Sequence, residues 1–144
     1  MTIWFDMDGT LADFYGVEGW LDYLQAENTT PYAQAKVLQD MNYLAKLLNK
    51  AQRHGHKLGI ISWLSKTGSA AFDEEVITAK LNWLAQHLGS VHFDEIHIVK
   101  YGTPKQSFAH SPLDILFDDE KRNRDNWEGF SYTPNEIISV MKCF

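Results

Sequence analysis

A chain of 144 residues is the size of one domain and long enough to bury a single good core. At 44% hydrophobic, with five tryptophans and eight phenylalanines, it is not a disordered polypeptide, because the apolar mass is there to offset ordering entropy. A formal net charge of −6 argues against a large nucleic acid as partner, which would need clustered Lys and Arg; a small anionic substrate stays open if a cation neutralises it. The single cysteine, Cys143, can form no internal disulfide. No apolar run approaches the roughly 20 residues of a membrane span, and the N-terminus lacks a signal-peptide pattern. A cytoplasmic protein with no membrane partner is the expectation.

Along the chain, Ile3-Trp4-Phe5 is a short apolar run that ends at Asp6 and Asp8, which predicts a buried strand. From about Val17 to His54 the pattern predicts helix, broken at Asn28-Thr29-Thr30-Pro31. There Thr30 can cap and Pro31 can take the first helical position of the second piece. That second helix carries Leu38, Met41, Leu44, Leu48 and Ala51 as one apolar stripe and stops at Gly55. Lys57 to Ile61 predicts a second strand, ending at Ser62. A polar loop over 65–69 leads into a helix from about Phe72 to Leu88, with Asp73, Glu74 and Glu75 suiting its positive end. Glu95 to Val99 predicts a third strand and Ile115 to Phe117 a fourth. Thr133-Pro134-Asn135-Glu136 has the form of a capping box that opens a last helix.

Short strands alternating with helices predict a three-layer, Rossmann-like α/β fold, its parallel sheet covered by helices on both faces, in a single domain over 1–144. Ligands of such sheets bind beyond the carboxyl ends of the strands. The residues just past the strands are therefore the candidates: Asp6 and Asp8, Ser62, and Asp118 with Asp119. Lys105 lies in the loop between the third and fourth strands.

Carboxylates converging on one edge repel each other, so a hard cation is their natural companion, and an all-oxygen donor set selects Mg²⁺. A serine hydroxyl and a lysine ammonium nearby suit the oxygens of a phosphate. That inventory fits phosphoryl transfer, in which one carboxylate can attack phosphorus while a second carries a proton. An EF-hand calcium loop does not fit, because Leu11 stands where that loop needs glycine.

Asp6-Met7-Asp8-Gly9-Thr10 resembles motif I of the haloacid-dehalogenase (HAD) superfamily, with Ser62 as motif II, Lys105 as motif III and Asp118-Asp119 as motif IV, in the family's order. The resemblance implies a HAD fold in which Asp6 is the nucleophile and Asp8 the general acid/base. Mg²⁺ would be held by Asp6, the Asp8 carbonyl and the motif IV acids Asp118 and Asp119. Asp119 is favoured as the direct ligand, and Lys105 is favoured over Lys100 as motif III. Ser62, Lys105 and the Trp63 N–H would bind phosphate. The run from Asp6 to Phe14, with Leu116 to Lys121, is similar to the 5′(3′)-deoxyribonucleotidases, which implies a nucleotide substrate and a base contact for Phe14. Here, however, Trp63 follows the motif II serine where that subfamily has a small residue.

The resemblance also implies that an insertion at about 15–40 forms a small helical cap. A cap that small leaves either an open pocket in a monomer or closure by a second copy in a homodimer. Phe14 reads equally as core or as substrate contact, and the Trp63 ring could stack on a base. Asp13 reads as a local hydrogen-bond partner, and Lys121, Arg122 and Arg124 as a solvated helix face. The implied activity is a Mg²⁺-dependent 5′-nucleotidase. Its alternatives are a HAD phosphatase for other small esters or polynucleotide 3′ ends, and a non-catalytic domain that binds phosphate or a partner.

Overall fold

In the computed structural model, which describes residues 1–144, the chain runs β1 (Thr2–Phe5), β2 (Ala12–Asp13), α1 (Trp20–Gln25), α2 (Thr30–Gln34), β3 (Lys36–Val37) and α3 (Met41–Arg53). It continues through β4 (Lys57–Trp63), α4 (Ala70–His87), β5 (Glu95–Val99), a 3₁₀ turn at Lys105–Phe108, β6 (Ile115–Phe117), α5 (Lys121–Asn126), β7 (Phe130–Tyr132) and α6 (Ile137–Met141). Five strands form a parallel sheet in the order β5-β4-β1-β6-β7. This is the expected three-layer α/β fold. The chain leaves β1 toward β4 on one side and returns to β6 on the other, so the exit of β1 sits at the point where strand order reverses.

β1 is buried along its whole length because both of its faces are covered. Side chains alternate across it. Ile3 and Phe5 enter a core with Leu44, Leu48 and Ala51 of α3, Leu84 of α4, and Ile137 and Met141 of α6. Trp4 points the other way, into a cluster with Ile61, Leu116 and Trp127, against Phe108 of the 3₁₀ turn. A third cluster joins Phe14 and Tyr32 to Leu64 and to Phe72 and Val76 of α4. No helix is long and apolar enough to cross a membrane.

Three expectations need correction. The second predicted helix does not run unbroken from about Pro31 to His54. It stops at Gln34, and the chain extends through β3, which pairs antiparallel with β2. A new helix then starts at Met41, where Asp40 accepts a hydrogen bond from the Tyr43 N–H at 3.2 Å. Leu38 therefore lies outside the apolar stripe, exposed, its N–H bonded to the Leu11 carbonyl. Thr29, not Thr30, precedes α2; the Thr30 N–H and O–H both donate to Asn28 Oδ1. A fifth strand, β7, was not expected. It has only three residues, with Phe130 exposed, so its pattern carries no clear period.

The capping box at Thr133 and Glu136 is formed, and opens a 3₁₀ turn that continues into α6. Residues between β2 and β3 carry α1 and α2 on a two-stranded stem, standing over the carboxyl edge of the sheet. Glu27, in the turn between these helices, accepts bonds from the N–H and O–H of Ser69, the N-cap of α4.

Asp114, fully buried just before β6, ties the edge of the sheet opposite the carboxyl ends. Its carboxylate accepts the Thr2 N–H at 2.9 Å, the Trp4 indole N–H at 3.2 Å and the His110 N–H at 2.9 Å. Asp114→Ala strands these donors, two of them in the interior. It is expected to lower stability by about 3 kcal/mol in urea unfolding, with Asp114→Asn losing clearly less.

Candidate active site

Asp6 is the first residue beyond β1, and its N–H still bonds to Phe117 of β6, so the sheet itself fixes its backbone. The chain then turns tightly. The Met7 carbonyl accepts the N–H groups of Thr10, Leu11 and Ala12, and Gly9 sits at φ 80°. A Cβ at Gly9 would run into the Asp119 carboxylate, so glycine here answers both to the turn and to the approach of the second acidic loop. Thr10, fully buried, donates its hydroxyl to Asp6 Oδ2 at 2.9 Å and accepts the Asp119 N–H at 3.1 Å. That hydroxyl links the loop after β1 to the loop after β6.

Lys105, at the start of the 3₁₀ turn, is only 2% exposed. Its ammonium donates to Asp6 Oδ1 and to Asp118 Oδ2, each at 2.7 Å. Lys100, by contrast, is exposed, just beyond the end of β5. Asp118 is held on all sides, since it also accepts from Asn123 at 3.1 Å and from the Glu120 N–H at 2.8 Å. Arg124 donates to the Asp118 carbonyl at 2.9 Å, so it belongs to the site's scaffold and not to a solvated face. Oxygens of Asp6, Asp118 and Asp119 all lie within 4.8 Å of one another.

Asp8 stands apart from this cluster. Its Oδ2 accepts from the ammonium of Lys80, a residue of α4, at 2.9 Å. The same ammonium donates to Ser62 Oγ at 2.6 Å and to the Trp63 carbonyl at 2.8 Å. Ser62 is fully buried and lies beneath the cavity without lining it.

The electrostatics follow from these pairings. Burial raises the pKa of Asp8, with Lys80 opposing. Burial and the neighbouring Asp6 push Asp118 up to about 6 against the pull of Lys105. Asp119 has no ammonium partner; although it is the most exposed of the three, partial enclosure and then the charge of Asp6 push it up to about 8. Burial works to lower Lys105, but Asp6 and Asp118 more than offset it and hold the ammonium charged. Four carboxylates thus face two ammoniums, and when all four are ionised two negative charges are unmatched. Three hard oxygen donors with that excess fit a divalent cation of the Mg²⁺ type.

Above the acids lies a cavity of about 610 Å³. Its floor is Asp6, Asp8, Lys105, Asp118 and Asp119, and its walls are aromatic: Phe14, Tyr15, Trp20 and Tyr32 from the β2–β3 insertion, Trp63 and Tyr101 opposite. Phe14 is buried against Tyr32, ring centroids 4.7 Å apart, so it serves the core and still borders the cavity. The Trp63 indole donates to the Thr103 carbonyl at 2.9 Å, and the Lys105 ammonium and the Arg122 guanidinium lie 5.3 and 5.0 Å from its ring. Asp13 accepts the Gly16 N–H, the local role expected of it.

The structure thus gathers Asp6, Asp8, Trp63, Lys105, Phe14, Asp118 and Asp119 around one cavity, and keeps Ser62 below it. Sequence reasoning missed Lys80, Thr10 and Asn123. Lys80 carried a readable signal, because it interrupts the buried helical spacing Phe72, Val76, Lys80, Leu84.

No protein-family model and no curated protein matches the sequence. Among solved structures, D,D-heptose 1,7-bisphosphate phosphatase from Burkholderia thailandensis aligns over 99% of this chain and 97% of its own, with TM-score 0.58 and 11% identity. The HAD domain of the effector protein Lem4 from Legionella pneumophila aligns over 92% of this chain and 83% of its own, with TM-score 0.41 and 13% identity. The chain therefore shares the three-layer parallel α/β fold of the heptose bisphosphate phosphatase.

Proposed function

We propose that the chain is a Mg²⁺-dependent phosphomonoester hydrolase of the HAD type, with (deoxy)nucleoside monophosphates as its substrate class. One observation carries the reading: a buried carboxylate at the strand-order reversal, Asp6, shares an ammonium with Asp118 and opens onto a cavity, while Asp8 beside it is paired elsewhere.

Asp6 attacks phosphorus, forming an Asp6–phosphate bond as the bond to the leaving oxygen breaks. Its carboxylate is held in place by Lys105 and Thr10. Lys105 uses two of its three donors on Asp6 and Asp118, which leaves one for a phosphate oxygen. Asp8 gives its proton to the departing alkoxide. It then takes a proton from water, whose oxygen displaces phosphate from Asp6 and restores the carboxylate. Mg²⁺ held by Asp6, Asp118, Asp119 and the Asp8 carbonyl would offset the charge of the acids and the phosphoryl group. The aromatic walls suit a flat base, and the Trp63 backbone N–H would be a further phosphate donor. The Burkholderia fold neighbour is itself named as a phosphatase, which supports the same class of reaction.

Asp6→Asn is expected to abolish release of p-nitrophenol from p-nitrophenyl phosphate with Mg²⁺ present, with an unchanged circular dichroism spectrum; activity like wild type would sink the mechanism. Assayed over nucleotides, sugar phosphates and 3′-phosphorylated oligonucleotides, the protein is expected to favour nucleoside monophosphates. Trp63→Ala should raise KM for them by about tenfold and leave glycerol 2-phosphate nearly unchanged, since stacking contributes about 1–3 kcal/mol per base. Broad, weak release from every ester would remove the nucleotide assignment, and no release from any would remove the hydrolase.

The acids also set a pH-dependent stability. Asp118 and Asp119 are raised from 3.8 to about 6 and about 8 in the fold, so between these values the native state holds protons that the unfolded chain has released. Without a divalent cation, stability is therefore expected to fall as pH rises from about 4 to about 8. Mg²⁺ should raise Tm at pH 8 and much less at pH 5, and Asp119→Asn should remove most of that response. A Tm indifferent to Mg²⁺ against EDTA at pH 8 would overturn the metal assignment.

A further inference from the structure

The two acids of the first loop are served by different lysines. Asp6 shares Lys105 with Asp118, at the cluster suited to a cation. Asp8 is drawn away from that cluster by Lys80. Lys80 lies in the body of α4 on its buried face, 1% exposed, between Val76 and Leu84, where an apolar side chain would fill the space at less cost than an ammonium. All three of its donors are used, on Asp8 Oδ2, Ser62 Oγ and the Trp63 carbonyl, and the charge sits 5.1 Å from the centre of the Tyr32 ring.

Lys80 does not line the cavity, so it cannot meet substrate; Asp8 does line it. Asp8 Oδ1 takes no hydrogen bond from the protein, so the carboxylate is anchored by one oxygen and open at the other. A carboxylate held in this way presents a single oxygen in one orientation. Without the anchor it would turn about its own torsions and could fall back toward the Asp6 cluster.

We propose that Lys80 is a positioning residue for proton transfer: it clamps Asp8 through Oδ2 to Ser62 and the end of β4, so that Oδ1 is presented to the leaving oxygen and later to water. This deepens the hydrolase reading of the same site and rests on it. The alternative is that Lys80 only ties α4 to β4, a purely structural role.

Substrates that differ in how much they need a proton separate the two. p-Nitrophenolate departs as an anion, whereas the alkoxides of deoxythymidine 5′-monophosphate and glycerol 2-phosphate must be protonated as they leave. Because kcat/KM reports events through the first irreversible step, it isolates phosphoryl transfer to Asp6 from the later hydrolysis. Lys80→Met is expected to lower kcat/KM for the alkoxide-leaving probes by about 100-fold and for p-nitrophenyl phosphate by no more than about threefold. Should Lys80→Met lack the wild-type circular dichroism spectrum, Lys80→Gln, which keeps a polar head, should show the same split. Equal losses on all three probes, or no loss on the alkoxide probes, would overturn the role of Lys80 while leaving the hydrolase standing. No phosphate release by the wild-type chain from any probe would overturn the hydrolase reading itself.

Discussion

Four carboxylates gathered around two buried ammoniums is the constraint that organises this molecule. Each lysine has to be carried into the interior, which is unfavourable unless its donors are met: Asp6 and Asp118 take two donors of Lys105, and Asp8, the Ser62 hydroxyl and the Trp63 carbonyl take the three of Lys80. Lys105 bridges the loops after β1 and β6, while Lys80 bridges β1's loop to β4 through α4. Removing either ammonium would leave like charges facing each other across a low-dielectric edge. The imbalance that remains when all four acids are ionised, centred on Asp119, is what would suit the cluster to the proposed cation.

The sheet makes this gathering inexpensive in conformational terms. Its strands are all parallel, so β1, β4 and β6 release their chains at the same edge, and short loops suffice to bring Asp6, Trp63 and Asp118 together. The strand-order reversal at β1 opens a crevice there. Thr10 then locks the two acidic loops to each other, and Gly9 allows the approach that a side chain would block. At the other end of the same strands, Asp114 fixes Thr2 and Trp4, so β1 is pinned at both ends.

Over the acids, the β2–β3 stem supports a small aromatic roof. Phe14 and Tyr32 pack on α4 through Phe72 and Val76, and Glu27 clasps Ser69 at the start of that helix. The helix that supports the roof is thus also the one that supplies Lys80. Aromatic walls above and charged groups below form the cavity to which the proposed substrate class is assigned.

Sequence alone determined the strands β1, β4, β5 and β6, the α4 helix, the final capping box and the acids that meet at the sheet edge. β1, β4 and β6 are legible because burial imposes an apolar run on them, β5 at the sheet's edge because polar and apolar residues alternate along it, and the acids because, placed directly after such runs, they have little other reason to be there. It did not determine the split of the second helix or the existence of β7. Those depend on pairing with β2 and β6, which stabilises segments too short to show a period of their own. Nor could it assign Lys80, since a lysine in an amphipathic helix takes its meaning from what lies across the interface. Which acid receives which lysine is a matter of distances between residues 72 and 99 positions apart. Only the folded sheet, by bringing its strand ends to one edge, could decide it.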